Sequence, residues 1–318
     1  MTGARANSSI PVQPTPVGLA EHVHRPHITV VGDVGLDVVA KLAGAVVFGH
    51  DTRAAVTVTP GGAGGNTAAW LAGHDVDVSL VARVGDDEAG RTAAAELSAA
   101  GIDCRFAVDP ELATCCVVVL VAPDGDRTML ADRGANSAFC VDDVNLPQPR
   151  GRGHLHLSGY VLLDDRSRPA GLAALQQAKE SGWSTSVDPQ AAVHVATVGA
   201  NTFLSWVRGV DLLLPNDSEL AALGGLEPAM AAATAVVVTH GRHGASWYSA
   251  SARVNVPAPQ TCEADSTGAG DAFNAGLLAA WLAGAEPLSA LQAGVLAGTA
   301  AAARIGARPG SAEQRVPD

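Results

Sequence analysis

The chain of 318 residues predicts an α/β fold, an open and mostly parallel sheet covered by helices. Three observations point there. In the second half, short strand-like runs alternate with helical patterns, as repeated βα units require. Several of those runs are continuously apolar, the mark of strands buried on both faces. The chain also carries 35 glycines, about 11% against an average near 7%, which supply tight turns and close backbone approaches. The length allows one large domain or two and a full hydrophobic core.

Residues 1–26 hold Pro11, Pro14 and Pro16 among Ser, Thr and Gly and read as a disordered leader, leaving 27–318 as the folded domain. His22, His24 and His27 lie close together without a thiol or metal-ligand spacing, so they read as a solvated run. Ile28–Val31 is β-branched and stops at Gly32, a buried strand and turn. Val38–Lys41 and Ala54–Thr59 read as short strands around a loop, Asn66–Gly73 as a small helix, and Val76–Val81 as another buried strand. Gly90–Ala100 has helical spacing with a glycine after it. A β-patterned patch follows, Cys104–Val108, Thr114–Ala122 and Arg127–Ala131, turning at Pro123-Asp124-Gly125. Further strands are expected at His154–Leu157, Ser184–Val187, Leu212–Leu214, Val236–Thr239 and Ser246–Tyr248. Helices are expected at Ala170–Ser181, Thr197–Val207, Ser218–Leu223, Asp271–Ala283 and Leu288–Arg304. The stretches near 35–59 and 102–133 interrupt the βα alternation and are expected to pair as a small separate sheet.

Composition excludes several function classes. A net charge of −12 leaves no electrostatic footprint for nucleic acid, and aromatics at 4% offer no stacking surface. The longest apolar stretches, Ala229–Val238 and Ala275–Ala285, fall short of a membrane span. Five cysteines without a C-x-x-C pair, and no signal-peptide pattern, point to a reducing cytoplasm. The only lysines are Lys41 and Lys179, and neither completes a P-loop. Gly61-Gly62-Ala63-Gly64-Gly65-Asn66 does not complete G-x-G-x-x-G, because Thr67 takes the last position; Gly268-Ala269-Gly270 fails likewise at Phe273.

The segment Asp265-Ser266-Thr267-Gly268-Ala269-Gly270-Asp271-Ala272-Phe273 carries the strongest chemical signal. A glycine-rich loop feeding a helix presents unpaired N–H groups and the positive end of the helix dipole, an anion site suited to a transferred phosphoryl group. Asp271 placed there could take a proton from an attacking hydroxyl. On the residues alone it reads more readily as an ordinary solvated first-turn acid, which helix starts favour.

This segment resembles the D-T-x-G-A-G-D signature of the ribokinase-like, or PfkB-type, family of carbohydrate and nucleoside kinases, with Ser266 as a departure. Other family elements follow in order: Gly61-Gly62…Asn66 resembles the G-G-x-x-x-N substrate loop, Arg83–Gly90 the v-G-x-D-x-x-G stretch, Asn216–Glu219 the N-x-x-E motif, and Val238–Gly244 the v-T-x-G-x-x-G motif. The resemblance spans about 28–310 and implies a ribokinase-like α/β fold with a small β-sheet lid. It implies Asp271 as catalytic base with Gly268, Ala269 and Gly270 as anion hole. It implies Asn216 and Glu219 as organisers of Mg²⁺, largely through water. It implies Thr239, Gly241 and Gly244, with Asn216, as ATP-binding positions. Asp265 and Thr267, with Ala301–Gly310, resemble a monovalent-cation site for K⁺, with Gly310 where ribokinases often place Ser. Asp37 resembles the acid that accepts from a sugar diol, beside Gly61, Gly62 and Asn66. Gly35 stands where ribokinases usually carry Asn; Asp33 either compensates or caps a turn. His154, His156, Trp183 and Trp247 belong to no motif and are expected in the core or at strand edges.

The implied activity is ATP-dependent phosphorylation of a sugar hydroxymethyl group, with a nucleoside as alternative acceptor and homodimerisation through the lid. The competing class is a non-catalytic sugar-binding protein of the same fold, which could dispense with Asp271. The leader cannot bury enough apolar surface to offset its ordering entropy. Deleting residues 1–24 is therefore expected to leave kcat/KM within a few-fold of the full chain and the melting temperature nearly unchanged; a marked fall in melting temperature would show that the leader packs on the domain.

Overall fold

The computed structural model describes residues 25–148, 151–262 and 264–310, so the expected leader lies, up to residue 24, outside the described residues. In chain order the first half runs β1 (His27–Val31), β2 (Gly35–Leu42), β3 (Ala54–Gly61), α1 (Ala63–Leu71), β4 (Asp77–Gly85), α2 (Glu88–Ala99), β5 (Asp103–Asp109), β6 (Cys115–Val121) and β7 (Arg127–Asp132). Then come β8 (Gly153–Ser158), α3 (Tyr160–Leu163), α4 (Arg168–Glu180), β9 (Ser184–Asp188), α5 (Ala192–Val198), α6 (Ala200–Trp206), β10 (Val210–Leu213), α7 (Asp217–Ala222) and α8 (Leu226–Ala232). The chain closes with β11 (Ala233–Thr239), β12 (Ala245–Ser249), β13 (Arg253–Val256), α9 (Ala269–Leu282) and α10 (Pro287–Ala302).

The main sheet has the order β13-β12-β11-β10-β9-β8-β1-β4-β5 and is parallel except at β12 and β13, where the pairing turns antiparallel. The lid is a second sheet of order β3-β2-β6-β7. This corrects one expectation. The run at Cys104–Val108 lies in β5, which pairs with β4 from Ser79↔Asp103 to Gly85↔Asp109 and belongs to the main sheet. Only Ala100–Ile102 join α2 to β5, and so short a return after a helix lays the strand parallel beside its predecessor. The expected helix 197–207 is broken at Gly199, whose φ of 92° separates α5 from α6. Helix α8 and strand β13 were not anticipated.

The sheet is buried between two apolar layers. On one face Val30, Leu80 and Val237 pack with Leu71 of α1, Leu277 and Leu278 of α9 and Leu291 of α10. On the other Val31, Leu157, Leu213 and Val236 pack with Leu175 of α4 and Phe203 of α6. Strand β8 alternates accordingly: Leu155 and Leu157 face the second layer, His154 and His156 the first. Both histidines are fully buried, and burial pushes them down to about 3 and about 4. They stay neutral inside a network in which His154 bonds Ser184 and Ser186, each at 2.8 Å, and His156 bonds Ser186 at 2.8 Å. Among the described residues no helix is long and apolar enough to cross a membrane.

Two glycines set the geometry that the site depends on. A Cβ on Gly64 would lie 2.6 Å from the carbonyl carbon of Gly32, and one on Gly32 would lie 2.9 Å from Cα of Gly64. The turn after β1 and the first turn of α1 therefore touch backbone to backbone. Gly64→Ala is expected to lower stability by about 1–3 kcal/mol through overpacking, read as a fall in urea midpoint; an unchanged midpoint would show that this contact is slack.

Candidate active site

The chemistry-bearing residues gather at the carboxyl ends of the parallel strands, where open α/β sheets bind ligands. Gly268 starts α9 in the left-handed conformation, at φ 76°, and a Cβ there would collide with the Ala307 carbonyl, so glycine is required twice over. A Cβ on Gly270 meets nothing within 4 Å, so this face of the first turn is open. Asp271 points inward from that turn and is 8% exposed. Its Oδ2 accepts from Asn66 at 3.2 Å and its Oδ1 from the Thr67 hydroxyl at 3.1 Å. Burial, with the nearby charge of Asp188, pushes its carboxyl up to about 7 against the pull of these donors and Arg308.

On the lid side, Gly61 ends β3 against Asp37: a Cβ at Gly61 would collide with the Asp37 carboxyl. Asp37 is pushed up to about 6 by burial, with Arg308 pulling the other way. Gly62 carries φ 84° and a Cβ there would sit 2.5 Å from the Asp33 carbonyl. Arg308 reaches in from the segment after α10, donating from Nε to Asn66 Oδ1 at 3.0 Å and from a terminal nitrogen to the Gly61 carbonyl at 2.7 Å. It thereby fixes which end of the Asn66 amide faces Asp271. Asp33 is neither free nor a turn cap: Arg133 grips it at 2.7 Å and holds Asp164 at 2.8 Å. Gly35 cannot carry a side chain, since a Cβ would lie 2.6 Å from the Cys115 carbonyl on the neighbouring lid strand.

Beyond Asp271 a polar cavity of about 200 Å³ opens, lined by Asp188, Asn216, Glu219, Thr239, Gly268, Gly270 and Asn274 among others. A hollow of about 590 Å³ lies at the opposite ends of the strands, around Pro26, Asp75 and Ala283, and gathers none of these motif residues. Asn216 and Glu219 form a reciprocal cap at the start of α7. Asn216 Oδ1 accepts from the Glu219 N–H at 2.9 Å, and the Glu219 carboxyl accepts from the Asn216 N–H at 2.9 Å and its amide at 2.8 Å. Burial drives both carboxyls well above the usual range, and the nearby charge of Asp188 raises Glu219 further, while the hydrogen bonds from Gln190 and Asn274 pull Asp188 the other way. Thr239 bridges to Asn216 across neighbouring strands. Gly241 opens toward free space at φ 53°, whereas Gly244 lies against β13, where a Cβ would collide with the Val256 carbonyl. Among the described residues no three His, Cys, Asp or Glu side chains converge enough to hold a metal ion unaided. The cavity instead gathers the side-chain oxygens of Asp188, Asn216 and Glu219, ligands of the kind magnesium takes, an ion that keeps its water and binds with phosphates.

Asp265 and Thr267 do come together, but a lid residue sits between them and solvent. Arg127 of β7 donates to Asp265 at 2.7 Å and to the Thr267 hydroxyl at 2.7 Å. The expected v-G-x-D-x-x-G stretch proves to be a joint: Asp87 caps α2 through Gly90 at 2.8 Å and binds Thr114, at the root of the lid, at 2.7 Å through both its N–H and its hydroxyl.

Several site residues escaped the sequence reading. Asp188 ends β9 and accepts from Asn274 at 2.7 Å and from the N–H of Gln190 at 2.9 Å. Gln190 is the one non-glycine with positive φ, at 70°, among the described residues. An acid closing a parallel strand, and an Asn three residues after Asp271 on one helix face, were the available signals. Arg308 and Arg133 lay in small-residue and lid segments with no local pattern to mark them.

The family model for pfkB family carbohydrate kinases matches residues 25–315. An ATP-dependent ribose-1-phosphate kinase of Halopiger xanaduensis is 33% identical over 254 residues, covering 78% of this chain and 82% of that protein. Fructokinase-1 of Oryza sativa subsp. japonica is 29% identical over 265 residues, covering 78% and 80%. The crystal structure of adenosine kinase from Sinorhizobium meliloti superimposes with a TM-score of 0.78 at 22% identity, covering 90% of this chain and 96% of that one. The chain thus belongs to the pfkB family of carbohydrate kinases, enzymes of ATP-dependent phosphoryl transfer to small sugars or nucleosides.

The raised carboxyl of Asp271 has a sign that can be measured. Between its ordinary value and about 7 the folded state holds the proton more tightly than the unfolded one, so this group's contribution falls as pH rises through that interval. Asp271→Asn removes the titration. The urea midpoint of the variant is expected to gain on the wild type as pH rises from 5 to 8; a constant gap would show that Asp271 is ionised throughout.

Proposed function

We propose that the chain transfers the γ-phosphate of ATP to a hydroxymethyl group of a sugar. The observation that carries this reading is Asp271, buried at the first turn of α9, oriented by Asn66 and Thr67, and facing the cavity that Asn216, Glu219 and Asp188 share. Asp271 accepts the proton of the attacking hydroxyl, and a value near 7 matches a base working at neutral pH. The N–H groups of Gly268 and Gly270 are placed for the charge that develops on the transferred group; that of Ala269, expected beside them, is instead taken by the Ser266 carbonyl at 3.2 Å. Asn216 and Glu219, with Asp188, are the residues that would hold magnesium, and the ion would supply neutralisation of phosphate charge. Thr239 and Gly241 flank the nucleotide, with Gly244 shaping the turn that carries them.

Asp37, with Gly61, Gly62 and Asn66, receives the acceptor. Its two oxygens suit a vicinal diol. The lid covers that end and excludes water, which would otherwise compete for the phosphoryl group. A sugar is favoured over a nucleoside because the relatives at 29–33% identity reported above are named for sugars or a sugar phosphate, whereas the adenosine kinase likeness is one of fold.

A homodimer through the lid fits the face opposite Asp37. The pairings Val38↔Val58, Val38↔Val118 and Val118↔Leu130 form one row, and Val58 and Leu130 in it are 62% and 56% exposed. The five cysteines Cys104, Cys115, Cys116, Cys140 and Cys262 are all free, which suits a reducing cytoplasm.

A panel of pentoses, hexoses, sugar phosphates, sugar acids and nucleosides, assayed for ATP consumption, identifies the acceptor class. With that acceptor, Asp271→Asn is expected to lower kcat by about 10²–10⁴-fold while calorimetry still detects Mg-ATP and acceptor binding. Asp37→Ala is expected to raise the acceptor KM about tenfold or more, from loss of a charged hydrogen bond worth about 1.5–3 kcal/mol, with the ATP KM unmoved. An Asp271→Asn enzyme keeping more than about a tenth of wild-type kcat removes Asp271 from its role.

A further inference from the structure

The resemblance that assigns Asp265 and Thr267 to a monovalent cation meets a structural obstacle. A potassium site needs several oxygens with free lone pairs to replace the ion's water. Here the carboxylate and hydroxyl that would ligate it already accept from the Arg127 guanidinium, whose positive charge repels a second cation. Asp265 Oδ1 accepts from Arg127 at 2.7 Å, from the Thr267 N–H at 3.0 Å and from the Thr267 hydroxyl at 2.6 Å. Its Oδ2 accepts from the Gly306 N–H at 3.2 Å. The Ala302 carbonyl takes the N–H groups of Ala264 and Asp265, at 2.8 and 3.2 Å, and the Ala307 carbonyl takes the Trp70 indole at 2.9 Å. The residues present do not fit the ion.

What they do fit is a guanidinium. Its planar fork places two donors at once, and Arg127 uses them on the Asp265 carboxylate and the Thr267 hydroxyl. The charge is that of the ion it displaces. The difference is its tether: Arg127 begins β7, an edge strand of the lid, while Asp265 and Thr267 run directly into Gly268–Gly270.

We propose that Arg127 supplies, from the lid, the single positive charge that a bound monovalent cation would otherwise supply beside the phosphoryl loop, so that catalysis is independent of potassium and requires the lid to be docked. Arg127 is a positioning residue, acting on the Gly268–Gly270 turn through Asp265 and Thr267. The proposal rests on the kinase reading above.

The test compares the full chain in potassium chloride and in tetramethylammonium chloride at equal ionic strength. The wild-type kcat is expected to agree between the salts within about twofold, and the ligand-free melting temperature is expected to be the same in both, since only a bound ion stabilises specifically. Arg127→Met is expected to lose kcat by at least about tenfold in tetramethylammonium, in the range of losing one electrostatic stabiliser. If that variant does not fold, Arg127→Lys, which keeps the charge without the fork, is expected to retain the fold with reduced kcat. A wild-type rate or melting temperature raised specifically by potassium overturns the proposal, as does Arg127→Met or Arg127→Lys with wild-type kcat. Absence of phosphoryl transfer in both salts overturns the kinase reading instead, and the melting comparison then still decides the cation question.

Discussion

The carboxyl of Asp271 is buried where α1 and α9 meet, and the amide that holds its Oδ2, Asn66, stands 205 residues earlier in the chain. A carboxyl in that position is costly unless hydrogen-bonded, so the fold has to deliver α1 to α9 at close range. Small residues make the approach possible. Gly32 and Gly64 allow backbone contact, and on the far side of α9 Gly276 leaves room for α10, where a Cβ would lie 2.7 Å from the Ala293 carbonyl. Arg308 then ties the same amide to the segment after α10. One buried acid thus links α1, the Gly268–Gly270 turn and, through Asn66 and Arg308, the segment after α10.

How much of this was legible in the sequence depended on whether a residue's signal was local. The parallel sheet was readable because strands such as Ile28–Val31 and Val236–Thr239 are continuous β-branched runs. The loop from Asp265 to Asp271 was readable because its glycines do a local job, and the left-handed Gly268 fulfils it. The capping pair Asn216 and Glu219 was visible as a spacing, though not its burial. Residues whose meaning comes from distant partners were not legible. Arg308 matters through Asn66 and Gly61, Arg133 through Asp33 and Asp164, and Arg127 through Asp265. The misplacement of Cys104–Val108 has the same origin: its β pattern is real, but which sheet it joins is decided by the short return from α2.

The lid is fastened to the main sheet by charge and hydrogen bonds more than by apolar packing. Arg133 joins the foot of β7 to the turn after β1 through Asp33, and Asn136 bonds both backbone groups of Val34, donating at 3.0 Å and accepting at 3.4 Å. Asp87 pins Thr114 at the foot of β6. Such fastenings are directional and short-ranged, so they define one seated position rather than a sliding contact. Sequence position reinforces this: the first hairpin leaves the main domain directly after Asp33 and Val34, and the second lies between Thr114 and Arg133.

The parallel pairing of β2 with β6 bears on how the chain matures during synthesis. Parallel neighbours cannot be closed by a hairpin, so β2 must remain unpaired on that edge until α1, β4, α2 and β5 have been made. The central strand β1 waits longer still, since β8 completes its other side. Asp271 and Arg308 emerge last of all. An incomplete chain leaving the ribosome can therefore assemble the loop from Gly61 to Asn66 and the lid well before it possesses Asp271 or the Gly268–Gly270 turn. Its exposed β1 edge has to be sheltered meanwhile, because such long-range pairings form late and leave strand edges open to other chains.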